Sequence, residues 1–493
     1  MSTYFSKHIQ AALLPLALAI AVGLILGVAI VHVTPIVVVV ALLALFLVFL
    51  ILKKPEFGIL GYIVLFSTFF DSTANVGISL PFGHVYLSDI LLLMLLLLIG
   101  VRSLVEPDFA IVHTPLDLLL IIFVGMAYLS TFVAINFSSL TLQQSLGEMR
   151  VVASYLLFFG VTNLIRNDGQ LKFLIGTIVV LGSLVSVVMI IQYILGSSAI
   201  HIIAGRVEVL STEGATVTDV TRIIPPGDAL VFVGFVIVFA ILWFEGFKPG
   251  NWILIVPALL MAFGILLTFK RHYWAAIIII SLIIIYLGGR RHLQSVFVGA
   301  LSALVIAGMV LFYLMYFTGA TGPRLISGSV TRLTSLADPR TYTDPNSSLR
   351  WRDFEDQYSL PQIAAHPLIG LGLGARYRPL VPPRDWAGFD GRAYIHNGHL
   401  WLLVKTGFLG YLPLLFVFII SLYRGFKYWR LIPDPRKRLY VLGFTLALMG
   451  MLIGSWVEPT LMEASWTPVI GLILGCNEVV LSKLSSKNAN PDQ

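Results

Sequence analysis

Residues 171–195, which read LKFLIGTIVVLGSLVSVVMIIQYIL, decide the fold class of this chain. The stretch contains one charged residue, Lys172, and a helix of this length rises about 37 Å, more than the roughly 30 Å hydrocarbon core of a bilayer. Similar runs recur along the 493 residues, of which 58% are hydrophobic and 12% are charged, whereas soluble domains carry about 25% charged residues. Unbroken apolar runs also exclude a β-barrel, whose strands alternate apolar and polar residues. The sequence therefore predicts an all-α, polytopic membrane protein.

About fourteen apolar runs are candidates for membrane spans. They lie near 12–32, 35–52, 57–70, 88–104, 115–136, 150–165, 171–195, 228–246, 252–269, 273–288, 294–317, 399–423, 438–457 and 466–482. Two of them, 57–70 and 150–165, would rise only about 21–24 Å, so twelve spans is the alternative to fourteen. We expect the whole chain, 1–493, to form one polytopic membrane domain, because apolar runs recur along it and we recognise no soluble domain in its sequence.

Lysine and arginine residues in the short loops predict the orientation of the spans. The turn 424–438 contains six of them, Arg424, Lys427, Arg430, Arg436, Lys437 and Arg438. The loops 71–88, 137–149 and 458–465, which alternate with the basic ones, contain none. We therefore expect both termini in the cytoplasm and one large loop, 318–398, on the outer side of the membrane.

The large loop uses arginine and no lysine. Its nine arginines are Arg324, Arg332, Arg340, Arg350, Arg352, Arg376, Arg378, Arg384 and Arg392. A guanidinium group offers a planar fork of donors that binds phosphate oxygens in pairs, and it stays charged when desolvated. The loop is thus predicted to hold phosphate or another planar anion. The alternative is pairing with the seven acids of the loop, Asp338, Asp344, Asp353, Glu355, Asp356, Asp385 and Asp390.

Residues 348–365 of this loop are predicted to form a short helix. Its cap would be Asn346 or Ser347, and one face would carry Trp351, Phe354 and Tyr358. Arg352 lies three and four residues before Glu355 and Asp356, which would orient its guanidinium group.

A glycine-rich stretch, HPLIGLGLG at 366–374, follows the predicted helix. It lacks the lysine and hydroxyl residues of a phosphate-binding P-loop, so nucleotide binding is not expected. Close packing of backbone against backbone, or amides that approach an oxyanion, explains the glycines better.

His396 comes directly before the apolar run 399–423, at the predicted outer boundary of the membrane. Imidazole accepts a proton near pH 7, so His396 is a candidate general base for a hydroxyl group that attacks a lipid-borne substrate. The alternative, a metal bound by His396 and His399, has no third ligand nearby, and no metal is expected.

Lys270 and Arg271 stand between two apolar runs, where charge is expensive and often functional. Arg271 is the stronger candidate, because Lys270 can extend its ammonium group to the interface. Weaker anion-binding candidates on the outer side are Arg150, Arg206 and Arg222, and further outer groups that could orient an acceptor or simply pair are Lys405, Glu458 and Glu463.

Three motifs together resemble a known family. Arg352-x-x-Glu355 is followed by the stretch 366–374, and then by His396-Asn397 with Gly407-Phe-Leu-Gly410 after nine further residues. In this order, within a many-span chain that has one long late loop, the motifs resemble the O-antigen ligase and polymerase superfamily. The resemblance is sharpest over 260–415, which includes the loop 318–398.

The resemblance implies a GT-C-like architecture and a metal-independent, inverting glycosyltransferase without a cofactor. Such enzymes reside in the bacterial inner membrane and transfer a glycan from undecaprenyl diphosphate, on the periplasmic side, to lipid A–core or to another lipid-linked repeat. It assigns the acceptor base to His396, with Asn397 and Glu355 as neighbouring motif residues. It assigns the donor diphosphate to Arg271 and to Arg352 or Arg350, since a shift of two residues would exchange the latter pair.

Several alternatives stay open at this point. The activity could be that of a ligase, a polymerase of surface polysaccharide or exopolysaccharide, or a protein-glycosylating enzyme. A transporter of an anionic solute or a lipid-linked sugar is the competing class. Transporters place ionisable residues in the middle of spans and show repeated halves, whereas here the charge gathers in one outer loop, which favours the enzyme. Membrane lipids are expected partners and nucleic acid is not.

Overall fold

The computed structural model describes residues 48–68, 77–80, 83–198, 200–212, 215–246, 248–289, 321–335, 339, 343, 347–381 and 391–489. The predicted spans at 12–32 and 294–317, and most of the one at 35–52, lie outside these residues. The chain forms two compact units, 1–58 and 59–493, and the helices that carry the candidate site belong to the second.

The structure is built from helices with two short hairpins. The helices are α1 (Pro55–Ile63), α2 (Leu87–Val105), α3 (Asp117–Phe137), α4 (Leu142–Ala153), α5 (Leu157–Leu164), α6 (Asp168–Leu195), α7 (Asp228–Glu245), α8 (Ile255–Leu267), α9 (Arg271–Gly288), α10 (Thr321–Thr334), α11 (Ser348–Ala365), α12 (Gly398–Tyr428), α13 (Pro435–Gly454) and α14 (Thr467–Ala489). The hairpins pair β1 (Gly77–Leu80) with β2 (Gly83–Tyr86), and β3 (Arg206–Thr212) with β4 (Ala215–Ile224).

Within the described residues, nine helices are long and apolar enough to cross a membrane, which confirms the all-α, polytopic fold. They contain α2, α3, α6, α7, α8, α9, α12, α13 and α14. The two short predicted runs are not among them. The run at 57–70 forms α1 and one further wide turn, Val64–Thr68, and the run at 150–165 belongs to α4 and α5, which a 3-10 turn joins.

The centre of the bundle is formed by α7, α13 and α14, whereas α2 and α9 lie at its periphery. Helix α7 packs against α6, α8 and α13, and α14 packs against α5. Three buried rings, those of Phe232, Tyr273 and Trp466, meet at one end of this core with centroids 5.3 to 6.0 Å apart. These contacts hold α7, the start of α9 and the start of α14 together, next to the residues of the candidate site.

The two hairpins lie in segments that hydropathy predicts to be loops between spans, 71–88 and 196–227. Strands β3 and β4 are rich in valine and threonine, which favour extended backbone. Their register places Glu208 opposite Arg222, and the two side chains form an ion pair of 3.2 Å. This opposite-charge cross-strand pair stabilises the hairpin, because directly opposed side chains are the unit of sheet stability.

Helix α12 begins just after His396 and Asn397 and is broken at Gly407, whose φ of 61° favours glycine. The glycine-rich stretch 366–374 lies against this break. The amides of Phe408 and Leu409 donate to carbonyl oxygens of that stretch at 2.7 and 3.1 Å. A Cβ atom at Gly370 would lie 2.6 Å from the Lys405 carbonyl carbon, so only glycine allows the approach.

The amides of residues 370–374 are all used within the protein. They donate to the oxygens of His366, Val404, Lys405, Thr131 and Glu148, at 2.8 to 3.1 Å. The expectation of close backbone packing is therefore correct, and the amides of residues 370–374 donate to protein oxygens, not to an oxyanion.

Candidate functional site

His396 and Glu355 form the centre of the candidate site. The Nδ1 atom of His396 lies 2.8 Å from Oε1 of Glu355, and the His396 amide donates to Oε2 at 2.9 Å. The Glu355 side chain is only 2% exposed, whereas that of His396 is 33% exposed. A carboxylate can only accept, so it retains the proton on Nδ1 and leaves the Nε2 lone pair of His396 available.

The helix that carries Glu355 has the predicted bounds, Ser348–Ala365. Its cap is Ser347, whose hydroxyl accepts from the Arg350 amide at 3.2 Å. The predicted aromatic face is confirmed, because the ring of Phe354 contacts those of Trp351 and Tyr358 at 4.9 and 5.0 Å. Buried Arg378 covers two of these rings and so fastens the helix to the segment that follows it.

Asn397 positions His396 through the helix that follows. Its side-chain oxygen accepts from the amides of His399 and Leu400 at 3.0 and 3.2 Å, which caps α12. Both ring nitrogens of His399 are engaged, by Tyr411 at 3.0 Å and by Ser455 at 2.6 Å. His399 therefore does not combine with His396 as a ligand pair, and among the residues that the structure describes no group of three histidine, cysteine or acidic side chains could hold a metal ion.

Arg352 lies beside the His396–Glu355 pair. Its Nη2 atom donates to the Val457 carbonyl oxygen at 3.0 Å. Burial lowers the pKa of Arg352, and the positive charge of Arg271 lowers it further, while Glu355 is the largest influence in the opposite direction. The two guanidinium groups are therefore within electrostatic reach of one another.

Arg350 occupies a different face of the same helix. Its side chain is 52% exposed and lies 3.6 Å from Asp353, three residues later. Of the two arginines between which the sequence could not choose, Arg352 is the one near His396 and Arg271.

A tight turn, Thr268-Phe269-Lys270, places Arg271 at the start of α9. Phe269 has a positive φ of 50°, and among the residues that the structure describes it is the only non-glycine residue with a positive φ. Such strained backbone persists where the surroundings enforce it, often at functional sites. The carbonyl oxygens of Thr268 and Phe269 accept from Arg222 and Arg332 at 3.1 and 3.4 Å, and Arg271 itself donates to Ser335 at 3.0 Å.

Lys270 points into the bundle, so the expectation that it extends to the interface is wrong. Its ammonium group lies 2.6 Å from both Asp228 and Glu458, and its side chain is 2% exposed. Burial lowers the pKa of Lys270, but the two carboxylates outweigh that effect and hold it above its usual value. The reason for the error is that these two acids, distant in sequence, offer the ammonium group partners inside the protein.

The weaker anion-binding candidates have local partners. Arg222 and Arg206 bind Glu208 at 3.2 and 2.9 Å, and Arg222 also holds the turn before Arg271. Arg150 binds Asp89 of α2 at 3.0 Å, and it also contacts the His84 carbonyl oxygen and the Tyr86 ring of the first hairpin. The structure thus gathers His396, Glu355, Arg352 and Arg271, and places Arg350 and Arg150 against other neighbours. Lys405 is fully buried and pairs with Glu148 at 3.4 Å, which joins α12 to α4.

Sequence reasoning missed three residues near the site, Asp228, His272 and Tyr394. Tyr394 packs its ring edge against His396 at 4.9 Å. Burial and the nearby charges of Glu463, Glu458 and Glu355 raise the pKa of Tyr394 well above its usual value, so its hydroxyl stays protonated. The available signals were the position of Asp228 at the first turn of an apolar run and that of His272 next to Arg271.

Comparison with known proteins adds one finding. Residues 256–415 match the family described as O-antigen ligase. The match extends from the start of α8 into α12, so it covers Arg271, Arg352, Glu355 and His396. No curated protein matches the chain. This match to about a third of the chain supports the resemblance to the O-antigen ligase and polymerase superfamily that the motifs indicate.

Proposed function

We propose that this multi-pass inner membrane protein transfers a glycan from undecaprenyl diphosphate to an acceptor hydroxyl group, with His396 as the general base. The observation that carries the proposal is the His396–Glu355 pair, held by two contacts of 2.8 and 2.9 Å next to Arg352. The O-antigen ligase match over the same residues supports a glycosyltransferase of this type. The orientation predicted from loop charge places this site on the periplasmic side.

The base step uses the free nitrogen of His396. Nε2 takes the proton of the acceptor hydroxyl group while its oxygen forms a bond to the anomeric carbon of the glycan. The bond between that carbon and the diphosphate oxygen breaks, and the electron pair leaves with undecaprenyl diphosphate. Glu355 stabilises the imidazolium ion that forms, as the carboxylate does in a Ser-His-Asp triad. A single displacement of this kind inverts the anomeric configuration.

The leaving diphosphate needs positive charge that is already in place. Arg352 and Arg271 lie within electrostatic reach of each other, and Arg352 is buried. Guanidinium donors fixed in a water-poor site stabilise developing charge without reorganisation. We assign the donor diphosphate to these two side chains. The superfamily supports lipid A–core or a second lipid-linked glycan as the acceptor, and the reaction as we write it needs no metal ion or cofactor.

The test is a transfer assay with the purified full-length protein. Undecaprenyl-diphosphate glycan is supplied with lipid A–core, or alone so that it serves as donor and acceptor, in the presence of a chelator. We expect a new glycosidic product from the wild type, and a loss of about 10²–10⁴-fold for His396→Ala, the usual contribution of general base catalysis.

The matched control is His366→Ala, which alters an exposed histidine of the same loop. It should transfer as the wild type does. Near-normal transfer by His396→Ala would remove the base assignment. Movement of the lipid-linked glycan across a vesicle membrane, with no new glycosidic bond, would show a transporter instead.

A further inference from the structure

The turn at 455–458, which follows α13, contacts three parts of the candidate site. They are the start of α12 after His396, Arg352, and the two neighbours of Arg271. The turn lies outside the segment that matches the O-antigen ligase family, 256–415. Its own geometry is well defined, because the amides of Val457 and Glu458 both donate to the Gly454 carbonyl oxygen at 3.0 Å. The turn is therefore a compact element that can transmit position from one part of the site to another.

The first contact is with the start of α12, directly after His396. The Gly398 amide donates to the Ser455 carbonyl oxygen at 2.8 Å. The Ser455 hydroxyl lies 2.6 Å from Nε2 of His399, and Ser455 is fully buried. These two bonds fix the turn relative to the helix end that carries the candidate base.

The other two contacts involve the candidate donor-binding arginines. Val457 accepts the 3.0 Å hydrogen bond from Arg352. Its neighbour Glu458 binds Lys270 at 2.6 Å and His272 at 2.7 Å, the two residues on either side of Arg271. One turn of four residues thus binds Arg352 directly and Arg271 through both of its neighbours.

The charge of Glu458 is secured by its partners. Its side chain is 17% exposed, and burial alone would raise its pKa, but Lys270 and His272 hold the pKa of Glu458 well below its usual range. Lys270 is itself shared with Asp228 on α7. Because a buried ion pair adds little net stability over apolar packing but is damaging to break, such a network suits the fixing of geometry.

We infer that Glu458 is a positioning residue that sets the separation of Arg271 and Arg352 so that the two guanidinium groups engage the two phosphates of one diphosphate. The inference rests on the proposed function, since it presumes that these arginines bind the donor. Glu458 touches neither the glycan nor the phosphates and acts through Lys270, His272 and the Val457 carbonyl.

The test measures binding of undecaprenyl diphosphate, and of undecaprenol as the probe without phosphate, to the full-length protein in lipid nanodiscs. Glu458→Gln should weaken binding of undecaprenyl diphosphate at least about tenfold, since small displacements of binding groups have effects of this size or larger. Binding of undecaprenol should not change.

The matched control is Glu478→Gln. Glu478 is likewise a glutamate in an ion pair, with Arg424 at 2.9 Å, but it is fully buried and its partner lies near the end of α12, whereas His396 precedes the start of that helix. We expect this variant to bind undecaprenyl diphosphate as the wild type does. Equal binding losses in Glu458→Gln and Glu478→Gln would overturn the inference, because a general loss of packing would then explain both.

A double-mutant cycle separates positioning from a merely structural role. If Glu458 acts through Arg352, the loss caused by Glu458→Gln should largely disappear in the Arg352→Ala background. Additive losses would overturn the inference. His272→Gln removes one partner of Glu458 from a partly exposed site, so it should weaken binding of undecaprenyl diphosphate in the same way but less. If Glu458→Gln does not fold, this variant tests the inference in its place.

The two hypotheses fail in different ways. A wild-type protein that binds undecaprenyl diphosphate no better than undecaprenol would overturn the proposed function and the inference with it. A wild type that prefers the diphosphate, together with a Glu458→Gln variant that matches it, would overturn the inference alone.

Discussion

Both ends of the helix bundle contain ion pairs, but the pairs have different roles at the two ends. The Glu478 end comprises the last turns of α12, the part of α14 around Glu478 and the start of α13. In its pairs a basic side chain binds an acid on another helix. Arg424 binds Glu478 at 2.9 and 3.0 Å, Arg436 binds Glu245 at 3.1 Å and Lys437 binds Asp168 at 2.6 Å. Each of these pairs links one helix to another.

The His396 end comprises the starts of α9 and α12 and the turn after α13. Here Glu458 is shared by Lys270 and His272, and Glu355 directs both oxygens to His396. Arg352 donates to a neutral carbonyl oxygen and Arg271 to a hydroxyl oxygen. The same chemical groups therefore join helices at one end and orient a candidate base and two candidate anion-binding groups at the other. Substitutions at the two ends should separate activity from stability.

The largest expected effect is on activity at the His396 end. Glu355→Gln removes the charge that holds the Nδ1 proton and stabilises the imidazolium ion, so transfer should fall about 10³-fold with little change in folding. Asp353→Asn, on the exposed side of the same helix, is the control and should behave as the wild type does. Initial rates measured beside melting temperatures decide this. Full activity in Glu355→Gln would mean that the carboxylate does not orient the base.

The next effect is on stability at the Glu478 end. Glu478→Gln leaves Arg424 buried with a weaker partner, so we expect a loss of about 3 kcal/mol of folding stability and unchanged transfer by the folded fraction. Thermal unfolding in nanodiscs gives the first quantity and the transfer assay gives the second. Loss of transfer at an unchanged melting temperature would break the comparison between the two ends.

A smaller effect should separate the two loop arginines. Arg352→Lys keeps the charge but loses the planar fork, so the KM for the lipid-linked donor should rise about tenfold, or about 1.4 kcal/mol. Arg350→Lys is the matched control, and because its side chain is 52% exposed we expect no change. The reverse result would assign the diphosphate to Arg350.

The smallest effect concerns pH. Burial, with the nearby charge of Glu458, raises the pKa of Glu463 to about 8 from an ordinary 4.5. The folded protein then holds a proton that the unfolded chain loses first, so this contribution to stability is complete below pH 4.5 and is lost as the pH rises to about 8. Glu463→Gln cannot ionise.

We therefore expect the wild type and Glu463→Gln to melt alike at pH 4 and to diverge steadily up to pH 8, with the variant more stable. Melting curves across this range provide the measurement. Parallel pH profiles would show that Glu463 titrates normally in the folded protein.

The loop shows how far local patterns reach. The bounds of α11 and its aromatic face were predicted, and its cap was predicted to be Asn346 or Ser347, because each feature depends on residues within a few positions of one another. The pairing of Glu355 with His396 was not predicted. Spacing along the helix paired it with Arg352, whereas folding brings both of its oxygens to His396, 41 positions away.

Lys270 and the glycine-rich stretch show the same limit. A lysine at a span end is expected to reach the interface, and only the packing of α7 and the turn after α13 reveals the two carboxylates that bind it inside. The glycines of 366–374 indicated close packing, but their partner, the break at Gly407, is a property of another segment.

Patterns along the chain were sufficient to predict an all-α membrane protein, a long loop whose basic residues are all arginine, and a histidine, His396, at the point where a helix enters the apolar core. Hydrophobic length, composition and caps are local, so they can be read along the chain. Three relations became visible only in the folded chain: Glu355 orients His396, Arg352 lies near this pair, and the turn at 455–458 contacts both parts of the site. Those relations join residues far apart in sequence, and they are set by how the helices pack against one another.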